Sequence, residues 1–136
     1  VTAVFTHVTG KPVEDNVVTV MTFDNGAMAI QETGFVSSQS PFALEMYGTE
    51  GTLLINGPKE TIMIGTNSSG VEEVPGWITP TRMPAPLPSP MRQWIEGIRS
   101  NAPIDFGLDE GIRLTELMVA AYRSYQEGRT VEFPVK

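Results

Sequence analysis

The sequence predicts an α+β fold, in which a mainly antiparallel, open β-sheet of about six strands carries two α-helices on one face. Three observations support this prediction. Short segments rich in alternating apolar and β-branched residues occupy the first half of the chain, a hairpin signal joins two of them, and two segments with helical spacing follow. Strands that precede helices, rather than alternate with them, are typical of an antiparallel sheet covered on one side.

The first three strands are predicted as consecutive antiparallel neighbours. Alternation around residues 4–8 indicates the first strand, and residues 17–23 and 27–35 indicate the second and third. Asp24-Asn25-Gly26 lies between the last two and predicts a two-residue type I′ turn, because Asn and Gly tolerate positive φ.

This turn also predicts which side chains share a face of the sheet. One side is bulky and apolar and is expected to meet the helices. It comprises Met21, Phe23, Met28 and Ile30. The opposite side is smaller and mixed, and it comprises Val20, Thr22, Ala29 and Gln31. Because such a surface suits contact with another subunit, the sequence predicts a homo-oligomer that associates through this exposed face.

Further strands are predicted over residues 42–47, 52–55 and 61–64, with a possible edge strand over 71–74. Gly48-Thr49-Glu50-Gly51 is interpreted as a hairpin turn, because it connects two strands and opens no helix. Residues 75–90 hold six of the eleven prolines and predict an extended surface segment, since proline fixes φ and donates no hydrogen bond.

The two helices are predicted from Pro90 to about Ser100 and from Leu108 to about Gln126. The apolar stripe of the first comprises Met91, Trp94, Ile95 and Ile98. That of the second comprises Leu108, Ile112, Thr115, Met118 or Val119, Tyr122 and Tyr125. Gly107 is a suitable N-cap and Gly128 a suitable left-handed stop for the second helix. Residues 130–134 are expected to return as a strand.

Composition narrows the classes of function. The 136 residues fit a single domain, with 40% apolar and 18% charged residues. A net charge of −7 argues against nucleic acid, and no apolar run approaches the length of a membrane span. The absence of cysteine agrees with a cytoplasmic protein. The acidic pair Glu14-Asp15 is interpreted as solvated charge, and no metal-ligand spacing is found.

Three segments, in this order and spacing, carry a family resemblance. They are the hairpin over residues 15–27, Tyr47-Gly48-Thr49-Glu50-Gly51-Thr52-Leu53, and Trp94-Ile95-Glu96-Gly97-Ile98 with the terminal helix and its Gly128-Arg129-Thr130-Val131 close. Together they resemble the C-terminal domain of the Gfo/Idh/MocA oxidoreductases, which are named after glucose–fructose oxidoreductase and inositol dehydrogenase. The resemblance implies a dihydrodipicolinate-reductase-like C-terminal fold.

The resemblance also implies that the chain is one part of an NAD(P)-dependent dehydrogenase acting on a secondary alcohol of a sugar or cyclitol. The family's Gly-rich nucleotide-binding turn, its Glu-Lys-Pro segment and its Asp and His near the domain junction have no counterpart in these residues. The N-terminal Rossmann domain is therefore expected to lie outside the chain. No catalytic, cofactor-binding or metal residue is assigned, the lone His7 included, and the chain alone is expected to be inactive.

Substrate contacts are predicted at two places by analogy with the family. Ser38, Gln39 and Ser40 follow a strand where relatives carry sugar-contacting loop residues, and hydroxyls and an amide suit a polyol. Trp77 and Arg82 lie in the proline-rich segment, where an indole suits a sugar ring and a guanidinium suits a carboxylate or phosphate. An ordinary polar loop and a core position for Trp77 remain as alternatives.

Two other functions stay open at this point. The chain could be a stand-alone, non-catalytic binding or assembly module, or it could belong to biliverdin-reductase-like proteins with a similar C-terminal architecture. The residues encoded directly upstream distinguish these cases, because a strand, a Gly-rich turn and a helix there would indicate the enzyme.

Overall fold

The computed structural model describes residues 1–36, 43–56, 61–66 and 78–134. These residues form six strands and two helices, which confirms the predicted α+β class. The elements are β1 (Thr2–Thr6), β2 (Asn16–Thr22), β3 (Met28–Gly34), β4 (Leu44–Tyr47), β5 (Gly51–Asn56), β6 (Thr61–Thr66), α1 (Pro90–Ser100) and α2 (Leu108–Glu127). Neither of these helices is long and apolar enough to cross a membrane.

The chain divides into two compact units. The first unit comprises residues 1–36 and 87–136, and the second comprises residues 37–86. Each contains one antiparallel sheet, with strand order β1-β2-β3 in the first unit and β4-β5-β6 in the second. The six described strands thus lie in two hydrogen-bonded ladders of three. Ile64 of β6 also exchanges two hydrogen bonds of 2.8 Å with Ile78, which lies outside the strands.

The turn between β2 and β3 differs from the predicted type I′ hairpin. Phe23 N donates to Ala27 O and Gly26 N donates to Phe23 O, each at 2.9 Å, so the loop has three residues. Gly26 has a φ of 84°, which is typical of a three-residue loop that ends in a left-handed glycine. Asn25 instead uses its side chain, whose Oδ1 accepts a hydrogen bond from Ala27 N at 3.0 Å.

The longer loop shifts the strand register by one residue from the prediction. Val20 pairs with Ile30, and Met21 pairs with Ala29. Since successive side chains alternate between faces, the shift exchanges the faces of β3 relative to β2. The predicted location of Ala29 and Gln31 on the open face, and of Met28 and Ile30 on the helix side, is therefore wrong.

The core of the first unit lies between β1 and α2. Ala3 and Phe5 of β1 are buried against Ala121 of α2, and Val1 and Val17 pack around them. The Phe5 ring stacks on Tyr125 at a centroid distance of 4.8 Å and meets Tyr122 edge to face, also at 4.8 Å. Aromatic pairs in these geometries stabilise a core beyond the area they bury.

Helix α2 contacts the sheet through its small residues. Ala120, Ala121 and Ser124 are buried, and their small size permits a close approach to β1. The apolar stripe predicted for α2 lies mostly outside this contact, with Leu108 79% and Ile112 47% exposed. Tyr122 and Tyr125, at the C-terminal end of that stripe, are the members that contact Phe5.

The helix ends agree with the sequence. Ser89 caps α1 with its hydroxyl, which accepts from Arg92 N at 3.4 Å, and Pro90 follows at the first helical position. Gly107 is the N-cap of α2, where its N–H donates to Glu110 Oε2 at 2.9 Å. Gly128 ends α2 in the left-handed conformation at a φ of 64°.

The residues after α2 do not form the predicted strand. Val131 instead exchanges two hydrogen bonds with Val1: the terminal amine donates to Val131 O at 2.8 Å, and Val131 N donates to Val1 O at 2.9 Å. A single pair of this kind holds the two chain ends side by side without extending the ladder.

Candidate functional site

The structure describes only one of the substrate-contacting residues predicted from the sequence. Ser38, Gln39, Ser40 and Trp77 lie outside the described residues. Arg82 is exposed in the irregular segment before α1 and forms no ion pair with any described residue. The predicted substrate contacts at these five positions therefore stay predictions.

The turn over Gly48–Gly51 is a hairpin, as predicted. Gly48 N donates to Gly51 O at 2.8 Å, and Tyr47 of β4 pairs with Thr52 of β5. This turn connects two antiparallel strands and is not followed by a helix. A Gly-rich dinucleotide-binding motif must be followed by one, so the turn is not such a motif.

Titratable side chains are dispersed over the described part of the chain. Within those ranges, no three His, Asp or Glu side chains come close enough to hold a metal ion. His7 is exposed just beyond the end of β1.

The most distinctive surface of the described residues is the face of β1-β2-β3 that points away from α2. We call it the open face. From the register, it comprises Thr2, Val4 and Thr6 of β1, Asn16, Val18, Val20 and Thr22 of β2, and Met28, Ile30 and Glu32 of β3. Thr2, Val20 and Ile30 form one row across the three strands, and Val4, Val18 and Glu32 form the next.

The open face combines an apolar centre with a hydroxyl rim. Val4 is 61%, Met28 66% and Ile30 66% exposed. Glu32 is its only charged side chain, although the whole chain carries a net charge of −7. Scattered exposed apolar residues are ordinary, but a contiguous patch with so little charge is typical of a contact surface between proteins.

The loop between β1 and β2 is held by a buried carboxylate at the end of the sheet. Asp15 Oδ1 accepts from Val8 N at 2.8 Å, and Oδ2 accepts from Thr9 N at 2.6 Å. The Asp15 backbone bonds both neighbouring strands, donating to Thr6 O and accepting from Phe35 N. The interpretation of Asp15 as solvated charge is wrong. Its carboxylate accepts hydrogen bonds from the loop N–H groups of Val8 and Thr9, which have no partner in the strand ladder.

Hydrogen bonds from the hydroxyl and backbone N–H of Thr9, followed by the N–H of Val8, hold the pKa of Asp15 below its ordinary value. The sequence offered a usable signal for this role. A short acidic side chain that follows a Thr-Gly turn is well placed to accept from the turn's backbone donors.

We expect Asp15→Asn to destabilise the fold at neutral pH and to reduce its sensitivity to acid. An Asp whose folded-state pKa is lowered stabilises the fold above its unfolded pKa, and that contribution disappears as pH falls through the folded-state value. The difference in the free energy of unfolding between wild type and variant should therefore shrink below about pH 4. Urea unfolding from pH 7 to pH 2 measures it.

Asp24→Asn is the matched control, because Asp24 is exposed in the hairpin turn. A difference for Asp15→Asn that stays constant over the whole pH range would contradict the assignment.

These features define a class of protein: an α+β domain in which the helix α2 packs on one side of an antiparallel sheet, while the other side carries exposed apolar residues. The sequence profile of the Gfo/Idh/MocA oxidoreductase family, C-terminal alpha/beta domain, matches residues 1–133. The chain belongs to this family. A search among curated proteins finds no match.

Solved structures share the fold. An NAD-binding protein from Listeria innocua superposes with a TM-score of 0.81 at 24% identity, over 98% of this chain and 40% of that one. An oxidoreductase from Agrobacterium radiobacter, solved with NAD+, L-tartaric acid and magnesium, superposes with a TM-score of 0.70 at 20% identity, over 96% and 42%. The chain thus spans less than half the length of either protein.

Proposed function

We propose that this chain is the C-terminal substrate-binding and oligomerisation domain of an NAD(P)-dependent oxidoreductase that acts on a secondary alcohol of a sugar or cyclitol. The observation that carries the proposal is the family match over residues 1–133. The similarity in fold to a longer NAD-binding protein supports it. The absence of cysteine agrees with a parent enzyme in the cytoplasm.

In this proposal the domain shapes the substrate pocket, and another part of the parent holds the dinucleotide. A nicotinamide bound by that other part would supply the hydride acceptor for the carbinol carbon, and a base there would take the hydroxyl proton. Ser38, Gln39 and Ser40 would bind hydroxyl groups, Trp77 would stack on the ring, and Arg82 would bind an anionic substituent. Neutral hydrogen bonds in such number are the usual means of recognising a polyol.

Nucleotide titration tests whether the dinucleotide binds to another part of the parent and not to this domain. Isothermal calorimetry of the 136-residue chain with NAD+ and NADP+ is expected to detect no binding, whereas the parent polypeptide should bind one of them. The parent is then screened against a panel of polyols for reduction of the nucleotide at 340 nm, roughly where reduced nicotinamides absorb. Micromolar binding by the 136-residue chain, or a parent that binds neither nucleotide, would contradict the proposal.

The alternative function is a stand-alone assembly module, and the open face is the observation that favours it. The two proposals differ in what the gene encodes ahead of Val1. A Gly-rich turn between a strand and a helix would support the enzyme, and a start codon directly at this point would support the module.

We further propose that two copies of the chain associate through the open face. Its apolar centre and low charge let the surface meet its own copy without like-charge repulsion. Val20 and Ala29 were both predicted on this face, but only Val20 lies there, since Ala29 lies on the helix side. Val20 is therefore the one of these two residues to substitute in a test of assembly.

We expect Ile30→Glu to weaken self-association by roughly tenfold or more, because a symmetric contact would bury the new charge twice. Ile30 is 66% exposed, so the free energy of unfolding of the monomer should change little. Sedimentation equilibrium measures the association constant. Val13→Glu is the control, because Val13 is 59% exposed in the loop before β2. A strictly monomeric wild type at high concentration would contradict the proposed contact.

A further inference from the structure

The loop between β2 and β3 contains the pair Asn25-Gly26, whose backbone and side chain can react with each other. The backbone nitrogen of a residue that follows asparagine can attack the side-chain amide carbon, and glycine hinders this attack least because it has no Cβ. Both residues are exposed. Apart from its chain neighbours, no atom lies within 4 Å of the place that a Cβ of Gly26 would occupy. The attacking nitrogen and its target are therefore free of side-chain crowding.

One hydrogen bond of the loop favours the attack. Ala27 N donates to Asn25 Oδ1 at 3.0 Å. When Gly26 N bonds to the amide carbon of Asn25, this oxygen takes up the negative charge of the tetrahedral intermediate. A backbone donor that already points at the oxygen stabilises the charge, as the donors of an oxyanion hole do.

A second hydrogen bond opposes the attack. Gly26 N donates to Phe23 O at 2.9 Å, and this bond must open before the nitrogen loses its proton and reacts. Phe23 and Gly26 are both exposed at the tip of the hairpin. Local opening at such a place costs much less free energy than global unfolding, so the reaction is open to the folded chain.

We propose that Asn25 is a site of spontaneous deamidation in the folded protein, with water as the only co-reactant. Gly26 N forms a bond to Cγ of Asn25, the bond from Cγ to Nδ2 breaks, and ammonia leaves with the proton of Gly26 N. Water then opens the succinimide ring that has formed. Opening at Cγ gives aspartate, and opening at the main-chain carbonyl carbon gives isoaspartate. No group is oxidised or reduced, and the inference does not depend on the proposed function.

Both products add a carboxylate beside Asp24 at the end of the hairpin. Isoaspartate also routes the main chain through Cγ, which adds one main-chain atom to the loop. The length of a hairpin loop sets the register of its strands. Thr22 and Met28 are the last pair before the loop, and both belong to the open face. The modification therefore acts at the edge of that face.

Ageing of the 136-residue chain at mildly alkaline pH tests the proposal. Cleavage after glutamate separates the two Asn-Gly pairs of the sequence, since Glu32 and Glu45 lie between Asn25 and Asn56. Mass spectrometry of the peptide over residues 15–32 is expected to show loss of the amide and two products of equal mass. One of them should coelute with the same peptide from freshly prepared Asn25→Asp. The rate should rise by about tenfold per pH unit, because the attacking nitrogen must be deprotonated.

Two controls accompany the measurement. Asn101 is the internal control, because it is exposed but precedes Ala102, whose Cβ hinders the attack. Asn25→Ser is the matched variant, because its hydroxyl keeps an acceptor near Ala27 N but contains no amide to lose. Its peptide should keep its mass throughout.

Loss of the Asn25 amide severalfold faster than that of Asn101 in the folded chain would support the proposal. Equal rates at the two residues would overturn it. An Asn25 amide that persists in the folded chain, while the same chain kept unfolded in urea loses it, would also overturn the proposal. In that case the bond from Gly26 N to Phe23 O protects the pair.

Discussion

Replacing Phe5 by alanine is expected to lower the free energy of unfolding of this chain by about 3–5 kcal/mol. Phe5 is 7% exposed and lies at the centre of the contact between β1 and α2. Its ring meets both Tyr122 and Tyr125 at centroid distances of 4.8 Å. Truncation would lose the transfer free energy of the ring and leave a cavity that the two tyrosines, being attached to a rigid helix, fill only in part.

Urea unfolding followed by circular dichroism measures the effect. A loss of this size approaches the whole stability of a small domain, so Phe5→Leu extends the series with a smaller truncation. Phe35→Ala is the matched control, because Phe35 is 86% exposed, and its effect should stay within about 0.5 kcal/mol. Equal effects of Phe5→Ala and Phe35→Ala would mean that the core does not lie between β1 and α2.

Replacing Ser124 by alanine is expected to cost about 1–3 kcal/mol, although the substitution removes a single oxygen atom. Ser124 is 1% exposed. Its Oγ accepts from Ala3 N at 3.0 Å and donates to Arg129 O at 2.7 Å. Alanine would leave the N–H of Ala3 in β1 and the carbonyl of Arg129, which follows α2, without this partner.

A second readout separates this role from a general loss of packing. Hydrogen exchange at the Ala3 amide should accelerate in Ser124→Ala by more than the global destabilisation accounts for, because its acceptor is gone. Ser100→Ala is the control, since the exposed Ser100 hydroxyl only donates back to Glu96 O within α1. An unchanged free energy of unfolding in Ser124→Ala would show that water replaces the lost partner.

The sequence predicted the helix ends well, because capping and chain reversal at a helix end depend on only a few neighbouring residues. Helix α1 begins at Pro90 as expected, with Ser89 as its cap, and Gly128 ends α2 in the left-handed conformation as expected. The α+β class followed in the same way from the order of strand and helix patterns. The hairpin register did not, because Asp24-Asn25-Gly26 suits both a two-residue and a three-residue loop.

The candidate site was predicted only in part. The sequence indicated an exposed sheet face with a role in contact, and it placed Val20 there. It placed Ala29 and Gln31 on the same face, and the register assigns those two residues to the helix side. The role of Asp15 was missed because its carboxylate bonds a loop whose path depends on where β1 ends and β2 begins. The substrate contacts predicted for residues 38–40 stay predictions, because these residues lie outside the described ranges.

The sequence by itself determined the fold class, the helix limits and the family, because each depends on short-range patterns or on their order along the chain. Only the tertiary structure decided which side of α2 meets the sheet. Tyr122 and Tyr125 of the predicted stripe do contact Phe5, but the buried residues of α2 are Ala120, Ala121 and Ser124. Their small side chains allow the helix close to β1, and Ser124 bonds Ala3 N and Arg129 O there. Helical spacing identifies two possible sides, and only packing distance and hydrogen-bond partners choose between them.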